Sequence, residues 1–156
     1  MHKIQSNPIT ADNFKSFGQI VTMPAAEPTS QAEDYKFWSD IAHYLIKGET
    51  EIGICTVYQQ SDTIISALER HLHTPEILIP IDAPFALPLL KDGEPPDQLK
   101  TFRVNVGEAV VVDKEVWHGP CLPVGKKESS YFVIFRRNTP HEDVQKKEIP
   151  PLSISL

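Results

Sequence analysis

The feature that most constrains the fold of this chain is a series of seven short apolar runs between residues 51 and 137. Each run is rich in β-branched and aromatic residues, and clusters of glycine, proline and aspartate separate it from the next. The runs are EIGICTVYQQ, TIISALERH, EILIPID, FALPLL, TFRVNV, EAVVVD and YFVIFRR. Short strands with closely spaced turns are typical of β-barrels and β-sandwiches. Because no run is followed by a long amphipathic helix, a parallel α/β sheet is not expected.

The segment before these runs predicts one short helix. In PITADNFKSFGQIV, Thr10 can cap a helix that places Phe14 and Phe17 on one side, and Gly18 can end it. The next stretch, TMPAAEPTSQAED, is polar and broken by proline, which predicts a loop. The period of YKFWSDIAHYLIK is ambiguous, so that stretch fits a strand or a short helix.

A chain of 156 residues is long enough for one domain with a sizeable core and too short for two comfortable ones. We expect one domain over residues 1–156, with its core at about 50–137 and with residues 1–49 and 138–156 packed around it. The tail HEDVQKKEIPPLSISL is polar and then proline-rich, so it is expected to lie on the surface or to fray.

Charge and cysteine usage exclude several classes of function. The net charge of −6 is spread along the chain, and no basic stripe exists that could bind a nucleic acid. No apolar run approaches ~20 residues, so neither a membrane span nor a membrane partner is expected. Cys55 and Cys121 lie far apart without CxxC spacing, which indicates reduced thiols in a cytoplasmic protein.

Polar residues with the potential for chemistry concentrate in ERHLHTPE, residues 69–76. If this stretch is a strand that enters a turn, Glu69 and His71 share one face while Arg70 lies on the other. Glu76 follows the turn and can lean back toward the same interior. Carboxylate and imidazole groups of this kind are ligands for Zn, Mn, Fe or Ni. Arg70, on the opposite face, is expected to form a structural ion pair or a subunit contact.

A second stretch, VGEAVVVDKEVWHGP, resembles the second motif of cupins. In that motif, Gly-x5-Pro-x-Gly-x2-His supplies the last metal ligand. Here Gly107 and His118 hold the outer positions, and Asp113 and Glu115 stand where the motif has proline and glycine. The first cupin motif, His-x-His-x(3,4)-Glu, matches Glu69-x-His71-x4-Glu76, with Glu69 in the first ligand place. His73 allows another register, His71-x-His73-x2-Glu76. If a divalent metal (Zn, Mn, Ni or Fe) is bound, its expected ligands are Glu69, His71, Glu76 and His118.

A closer resemblance covers most of the chain: the sequence is similar to the ureidoglycolate lyase family. It is carried by PITADNFKSFGQIV, by LERH followed by Ile79-Pro80, by PPDQLKTFRV, and by Gly107 with VWHGP. The resemblance implies a mainly β, cupin-like double-stranded β-helix, that is, a jelly-roll barrel with a few short peripheral helices. It also implies a homodimer and a carbon–nitrogen lyase that cleaves (S)-ureidoglycolate to glyoxylate and urea in allantoin and purine degradation.

The reaction assigns expected roles to six residues. Acid–base catalysis is expected from Glu69, His71 and His118, since histidine titrates near neutral pH. Arg103 and Arg136 are candidates for the substrate carboxylate, because guanidinium binds carboxylate in a two-pronged way. Trp117 is expected to form part of the pocket wall or the core.

Besides Glu76, which replaces a common glutamine, the chain departs from the family pattern at four positions. Val111 and Val112 stand where the family has Asn-Tyr, Gly119 replaces a second histidine, and Phe135 replaces an aspartate. Two other functions therefore stay open. The first is a metal-dependent cupin enzyme, such as an isomerase, lyase or dioxygenase, that acts on another small hydroxy or keto acid. The second is a non-catalytic cupin that binds a small ligand.

Overall fold

The computed structural model describes all residues from 1 to 156, and the chain forms fourteen strands with little helix. The two α-helices are α1 (Ala11–Phe14) and α2 (Thr139–Glu142), and one turn of 3-10 helix spans Pro96–Gln98. The strands are β1 (Lys3–Pro8), β2 (Gly18–Val21), β3 (Ser30–Ala32), β4 (Tyr35–Phe37), β5 (Thr50–Tyr58), β6 (Ile64–Arg70), β7 (Glu76–Pro80), β8 (Phe85–Leu90), β9 (Lys100–Val104), β10 (Ala109–Val112), β11 (Trp117–His118), β12 (Leu122–Pro123), β13 (Glu128–Arg136) and β14 (Gln145–Ser155). Each of the seven apolar runs forms a strand, as the sequence predicts.

Two sheets build the body of the molecule. The first has the order β11-β6-β14-β1-β9-β8-β12, and it closes into a six-stranded ring because β11 pairs with both β6 and β8. The second has the order β2-β10-β7-β13-β5, and β3 with β4 forms a separate hairpin. This arrangement confirms the expected mainly β, cupin-like barrel with only short peripheral helices.

Strand β8 shows how the two apolar cores are divided. Phe85, Leu87 and Leu89 join the core between the sheets, together with Leu78 and Val110 from the second sheet. Ala86 and Leu90, on the other face of β8, belong to a second core that the closed sheet surrounds. The members of this second core are Ile4, Ile65, Leu68, Ala86, Leu90, Leu99, Trp117, Leu122, Ile149, Leu152 and Ile154. Because side chains alternate along a strand, a strand between two cores is apolar throughout. All six residues of β8 are buried.

The N-terminal segment confirms the expected helix cap. Thr10 accepts a hydrogen bond from the Asn13 backbone N–H at 3.0 Å, and Asn13 Oδ1 accepts one from the Thr10 N–H at 2.8 Å. Phe14 and Phe17 are both buried in the core between the sheets. The segment that TMPAAEPTSQAED occupies is a loop until Ser30, where the β3–β4 hairpin begins.

The expectation that the C-terminal tail lies on the surface or frays is wrong. Residues 145–155 form the longest strand, β14, which pairs antiparallel with β6 and parallel with β1. Its apolar residues Ile149, Leu152 and Ile154 are buried in the second core. The stretch QKKE within that tail is the first part of this strand.

Both α-helices are four residues long, so neither could cross a membrane.

Candidate active site

Strands β6, β7 and β11 bring two histidines and a glutamate together. His71 is the first residue after β6, Glu76 opens β7, and His118 lies in β11. The Nε2 atoms of both histidines are 3.2 Å from Glu76 Oε2, and they are 3.4 Å from each other. We call these three residues the His–Glu–His cluster.

Asp143, which follows α2, positions the turn that carries His71. The Asp143 carbonyl lies 2.8 Å from His71 Nδ1, and because a carbonyl can only accept, Nδ1 donates this hydrogen bond. The Asp143 carboxylate accepts hydrogen bonds from the backbone N–H groups of Leu72 and His73, each at 2.9 Å. The remaining nitrogen, Nε2, therefore faces Glu76. A backbone carbonyl that fixes an imidazole in this way is common beside metal-binding histidines.

The cluster strongly changes the protonation of its members. Burial alone would lower the pKa of His71, but the contact with Glu76 and its charge, the Asp143 carbonyl and the charge of Glu69 outweigh burial and raise it to about 9. For Glu76 the directions are reversed: burial would raise its pKa, but the charge of His118 and the contact with His71 bring that pKa below its ordinary value. At neutral pH the metal-free cluster therefore contains a protonated His71 beside an ionised Glu76.

The donor set of the cluster fits a divalent metal. One ligand atom from each of its three residues lies within 4.8 Å of the others. Glu76 Oε2 is buried and has no aligned hydrogen-bond donor, although both imidazole nitrogens are close to it. Two imidazoles and one carboxylate on one side of a cavity are a common set for Zn, Mn, Fe or Ni. Glu69, the fourth ligand expected from sequence, does not belong to this convergent set.

A cavity of about 650 Å³ opens beside the cluster. Its exposed end is formed by Pro140 and Lys146, with Glu69 and Val144 half-buried next to them. Its inner end is mostly apolar, and its lining residues there are Cys55, Leu78, Leu87, Cys121, Tyr131, Val133 and Phe135. The His–Glu–His cluster therefore lies in the wall of a pocket that is large enough for a small organic acid.

The residues expected from sequence divide into two groups. Glu69, His71, Glu76 and His118 all line this cavity, and Glu69 is directly opposite His118 in the pairing of β6 with β11. Their catalytic roles stay a prediction.

The residues expected to bind the substrate carboxylate or to form the pocket wall do not line this cavity. Arg103 is in β9 and does not line the cavity, and Arg136 lines a separate small cavity beside His73. Trp117 is buried in the second core, where its ring packs against the guanidinium of Arg70 at 4.4 Å. Arg70 forms the expected structural ion pair, with Asp92 at 2.9 Å.

The four departures from the family pattern have different structural settings. Val111 and Val112 are fully buried core residues of β10. An added Cβ at Gly119 would lie 3.1 Å from two side-chain atoms of Pro88, so a side chain there requires Pro88 to move by a few tenths of an ångström. Phe135 packs edge-on against His71 at 5.6 Å and lines the cavity. Phe135 and Gly119, which follows His118, are therefore the departures that change the pocket wall beside the cluster.

Four residues of the site were not identified from sequence: Cys55, Tyr131, Asp143 and Lys146. Cys55 and Tyr131 are paired across β5 and β13, and strand alternation in these two runs could have placed them on the inner face. Both cysteines are free, and burial raises the pKa of Cys121, so its thiol stays protonated.

Solved structures with a related chain path include two oxalate decarboxylases. The enzyme from Lactobacillus farciminis, in a formate complex, is 12% identical with a TM-score of 0.48 over 63% of this chain. A Bacillus subtilis enzyme is 16% identical with a TM-score of 0.47 over 65% of this chain. The present chain spans about a quarter of the length of these proteins, 26% and 24% respectively.

Curated relatives match over a much larger share of their length. The ureidoglycolate lyase of Rhodobacter capsulatus is 23% identical in an alignment 156 residues long that covers 96% of each chain. The ureidoglycolate lyase of a Chelativorans species is 23% identical in an alignment 141 residues long that covers 85% of each chain. The family model described as ureidoglycolate lyase matches residues 1–155. Because this match includes every residue of the His–Glu–His cluster and nearly the whole barrel, the chain belongs to the ureidoglycolate lyase family.

Proposed function

We propose that this protein is a ureidoglycolate lyase that cleaves (S)-ureidoglycolate to glyoxylate and urea during allantoin breakdown. The observation that carries the proposal is the buried His–Glu–His cluster in a cavity wall, within a chain that belongs to this family. Two relatives that are named ureidoglycolate lyase match this chain over most of their length, which supports ureidoglycolate as the substrate here.

The reaction needs two proton transfers, at two groups that are attached to the same carbon atom of the substrate. That carbon bears a hydroxyl, a carboxylate and a urea nitrogen. Loss of the hydroxyl proton allows the carbonyl of glyoxylate to form while the C–N bond breaks, and the urea nitrogen takes up a proton. In the metal-free protein we assign these transfers to His71 and His118, and the 3.4 Å distance between their Nε2 atoms beside the Glu76 carboxylate supports this assignment. Glu69 offers a further acid–base group at the half-buried rim.

If a divalent metal such as Zn, Mn, Ni or Fe is bound, the His–Glu–His cluster would hold it through the same two Nε2 atoms, which then no longer transfer protons. Glu69 at the cavity rim would remain as the acid–base group. When bound, such a metal would bring the substrate carboxylate and hydroxyl together and would make the hydroxyl more acidic. The apolar wall of Phe135 and Val133 keeps water away from the same side of the cavity and strengthens charge interactions there.

The protein is proposed to act as a cytoplasmic homodimer. The edge strand β5 presents Ile52 and Ile54 to solvent, at 69% and 66% exposure. All its outward residues (Thr50, Ile52, Ile54, Thr56 and Tyr58) are uncharged, so a second copy could pair along the same edge without charge repulsion. An exposed apolar edge without charges is normally covered. Two free cysteines support a reducing compartment.

The experiment that tests the function is glyoxylate release from (S)-ureidoglycolate, followed by a coupled assay with EDTA, Mn²⁺ or Zn²⁺. We expect His118→Ala and Glu69→Ala to lower kcat by about 100-fold or more, since each removes an acid–base group. His43→Ala is the matched control, because its side chain is 81% exposed outside the main cavity. It should keep full activity.

The outcomes separate this proposal from the two other functions. Folded protein that releases no glyoxylate under any metal condition would exclude the lyase. Turnover of a different hydroxy or keto acid, abolished by His118→Ala, would then indicate another enzyme of the same site. A small acid bound intact, without turnover, would indicate a binding protein.

A further inference from the structure

Lys146 is the only lysine or arginine among the residues that line the main cavity. The same cavity contains two glutamates, Glu69 and Glu76. In the metal-free protein, His71 balances the charge of Glu76, so a substrate carboxylate that passes Glu69 at the cavity mouth is repelled unless a further cation lies close by. The two arginines expected to fill this role, Arg103 and Arg136, lie outside the cavity.

Strand pairing places Lys146 in line with the His–Glu–His cluster. Lys146 in β14 is directly opposite Glu69 in β6, and Glu69 is directly opposite His118 in β11. Residues that are directly opposite in neighbouring strands point to the same face, so all three side chains face the cavity. Two strand spacings amount to ~10 Å, and a lysine side chain reaches across much of that distance.

The ammonium group of Lys146 has no partner within the protein. It forms neither a hydrogen bond nor an ion pair, whereas Lys15 and Arg70 are paired with Asp12 and Asp92. Lys147, the next residue, points to the other face of β14 and packs on the Trp117 ring at 4.4 Å. Of these two neighbouring lysines, only Lys146 lines the cavity.

We propose that Lys146 binds the carboxylate of the substrate and thereby holds the reacting carbon of a 2-hydroxy acid against the His–Glu–His cluster. The choice of substrate rests on the proposed lyase function, but carboxylate binding can be measured by itself. A flexible ammonium at an exposed cavity mouth suits a small carboxylate that must enter and leave. Lys146 therefore acts on substrate affinity more than on the proton transfers.

The test is calorimetric titration of the EDTA-treated protein with glycolate, a 2-hydroxy acid, and with glycolamide, its neutral analogue. We expect Lys146→Met to weaken glycolate binding by about tenfold, which is the range for a charge-assisted contact in a partly enclosed site. Lys146→Arg should keep most of the affinity. Lys147→Met, with the same change of charge on the opposite face, should bind glycolate like the wild type. Glycolamide should bind more weakly and should not distinguish the variants.

Two results would overturn the inference: glycolate binding that Lys146→Met leaves unchanged, or no measurable glycolate binding by the folded wild type. The lyase proposal fails separately, if ureidoglycolate is not cleaved while glycolate binding still depends on Lys146. With turnover, Lys146→Met should raise KM for ureidoglycolate by about tenfold and should change kcat by less than about threefold.

Discussion

Asp143 acts on His71 through both its main chain and its side chain. Its carbonyl accepts from Nδ1, and its carboxylate holds the two backbone N–H groups that follow His71 in the turn. The orientation of the imidazole therefore depends on one residue that lies 72 positions away in sequence. A residue of this kind affects function by positioning a group rather than by contact with the substrate.

The variant Asp143→Ala tests this arrangement. It leaves two backbone donors without their acceptor, so the free energy of unfolding should fall by about 2 kcal/mol. Metal affinity should weaken by about tenfold or more, because the turn that carries His71 loses both of its side-chain anchors, while the backbone carbonyl at position 143 remains. Urea unfolding and metal titration measure the two effects. Asp12→Ala, which removes only an exposed pair with Lys15, should change stability by less than ~0.5 kcal/mol; equal effects of the two variants would contradict the role of Asp143.

The raised pKa of His71 predicts how stability depends on pH in the EDTA-treated protein. The pKa is about 9 in the folded state and 6.5 without the protein environment. Protonated His71 therefore stabilises the folded state, and this stabilisation is fully present below pH 6.5 and is lost as the pH rises through 9. The stability difference between the wild type and Glu76→Gln should shrink by on the order of 2 kcal/mol between pH 6.5 and 9.5, as measured by urea unfolding. A difference that stays constant over this range would show that His71 does not titrate as described.

At the scale of elements, the pairing of β2 with β10 depends on a glycine. Gly18 has a φ of +150°, and a Cβ atom at this position would overlap the carbonyl oxygen of Val111. The sequence predicts Gly18 as the end of a helix, whereas in the structure it begins β2 opposite Val112. Its lack of a side chain permits both the backbone conformation and the close approach of β10.

Gly18→Ala should therefore lower the free energy of unfolding by ~3 kcal/mol or more, since the strands must separate to admit the methyl group. Gly53→Ala is the matched control, because nothing lies within 4 Å of an added Cβ there. Its stability should stay within about 1 kcal/mol of the wild type. Thermal and urea unfolding of both variants measure the difference. Equal stability of the two variants would contradict the close packing of β2 on β10.

Strand β14 was missed from sequence because two prolines interrupt its pattern. Pro150 and Pro151 fall where the pairing with β6 shifts register, between Glu148 and Leu152. Proline cannot donate to a ladder and is tolerated in a strand at such an irregularity. The sequence signal is therefore that of a broken tail, although the apolar residues on either side continue into the second core.

At the scale of the whole molecule, the proposed homodimer depends on the uncharged outer edge of β5. Ile54→Lys places a charge at the centre of this edge and should convert the dimer to a monomer at micromolar concentration. Sedimentation velocity measures the change. Leu45→Lys, at a loop position that is 73% exposed, should leave the dimer intact. A wild-type monomer, or an Ile54→Lys dimer, would exclude this interface.

Seven of the fourteen strands could be predicted from the sequence because their signals are local. Each of the seven apolar runs contains β-branched or aromatic residues and is bounded by turn residues, and each forms a strand. The strand–turn–strand reading of ERHLHTPE also depends only on neighbours, so His71 and Glu76 come together as expected. The short distance between His71 and Glu76 in sequence is the physical reason that this part of the site was predictable.

Only the tertiary structure decided which cation reaches the cavity and what supports His71. Lys146 and Asp143 are brought to the site by α2 and β14, which return along the barrel after a separation of more than 70 residues. Arg103 and Arg136 have the better side chains for a carboxylate, but their positions in β9 and β13 direct them away from the cavity. Residue type and spacing describe what a side chain can bind. Long-range strand pairing determines which face of the barrel that side chain occupies.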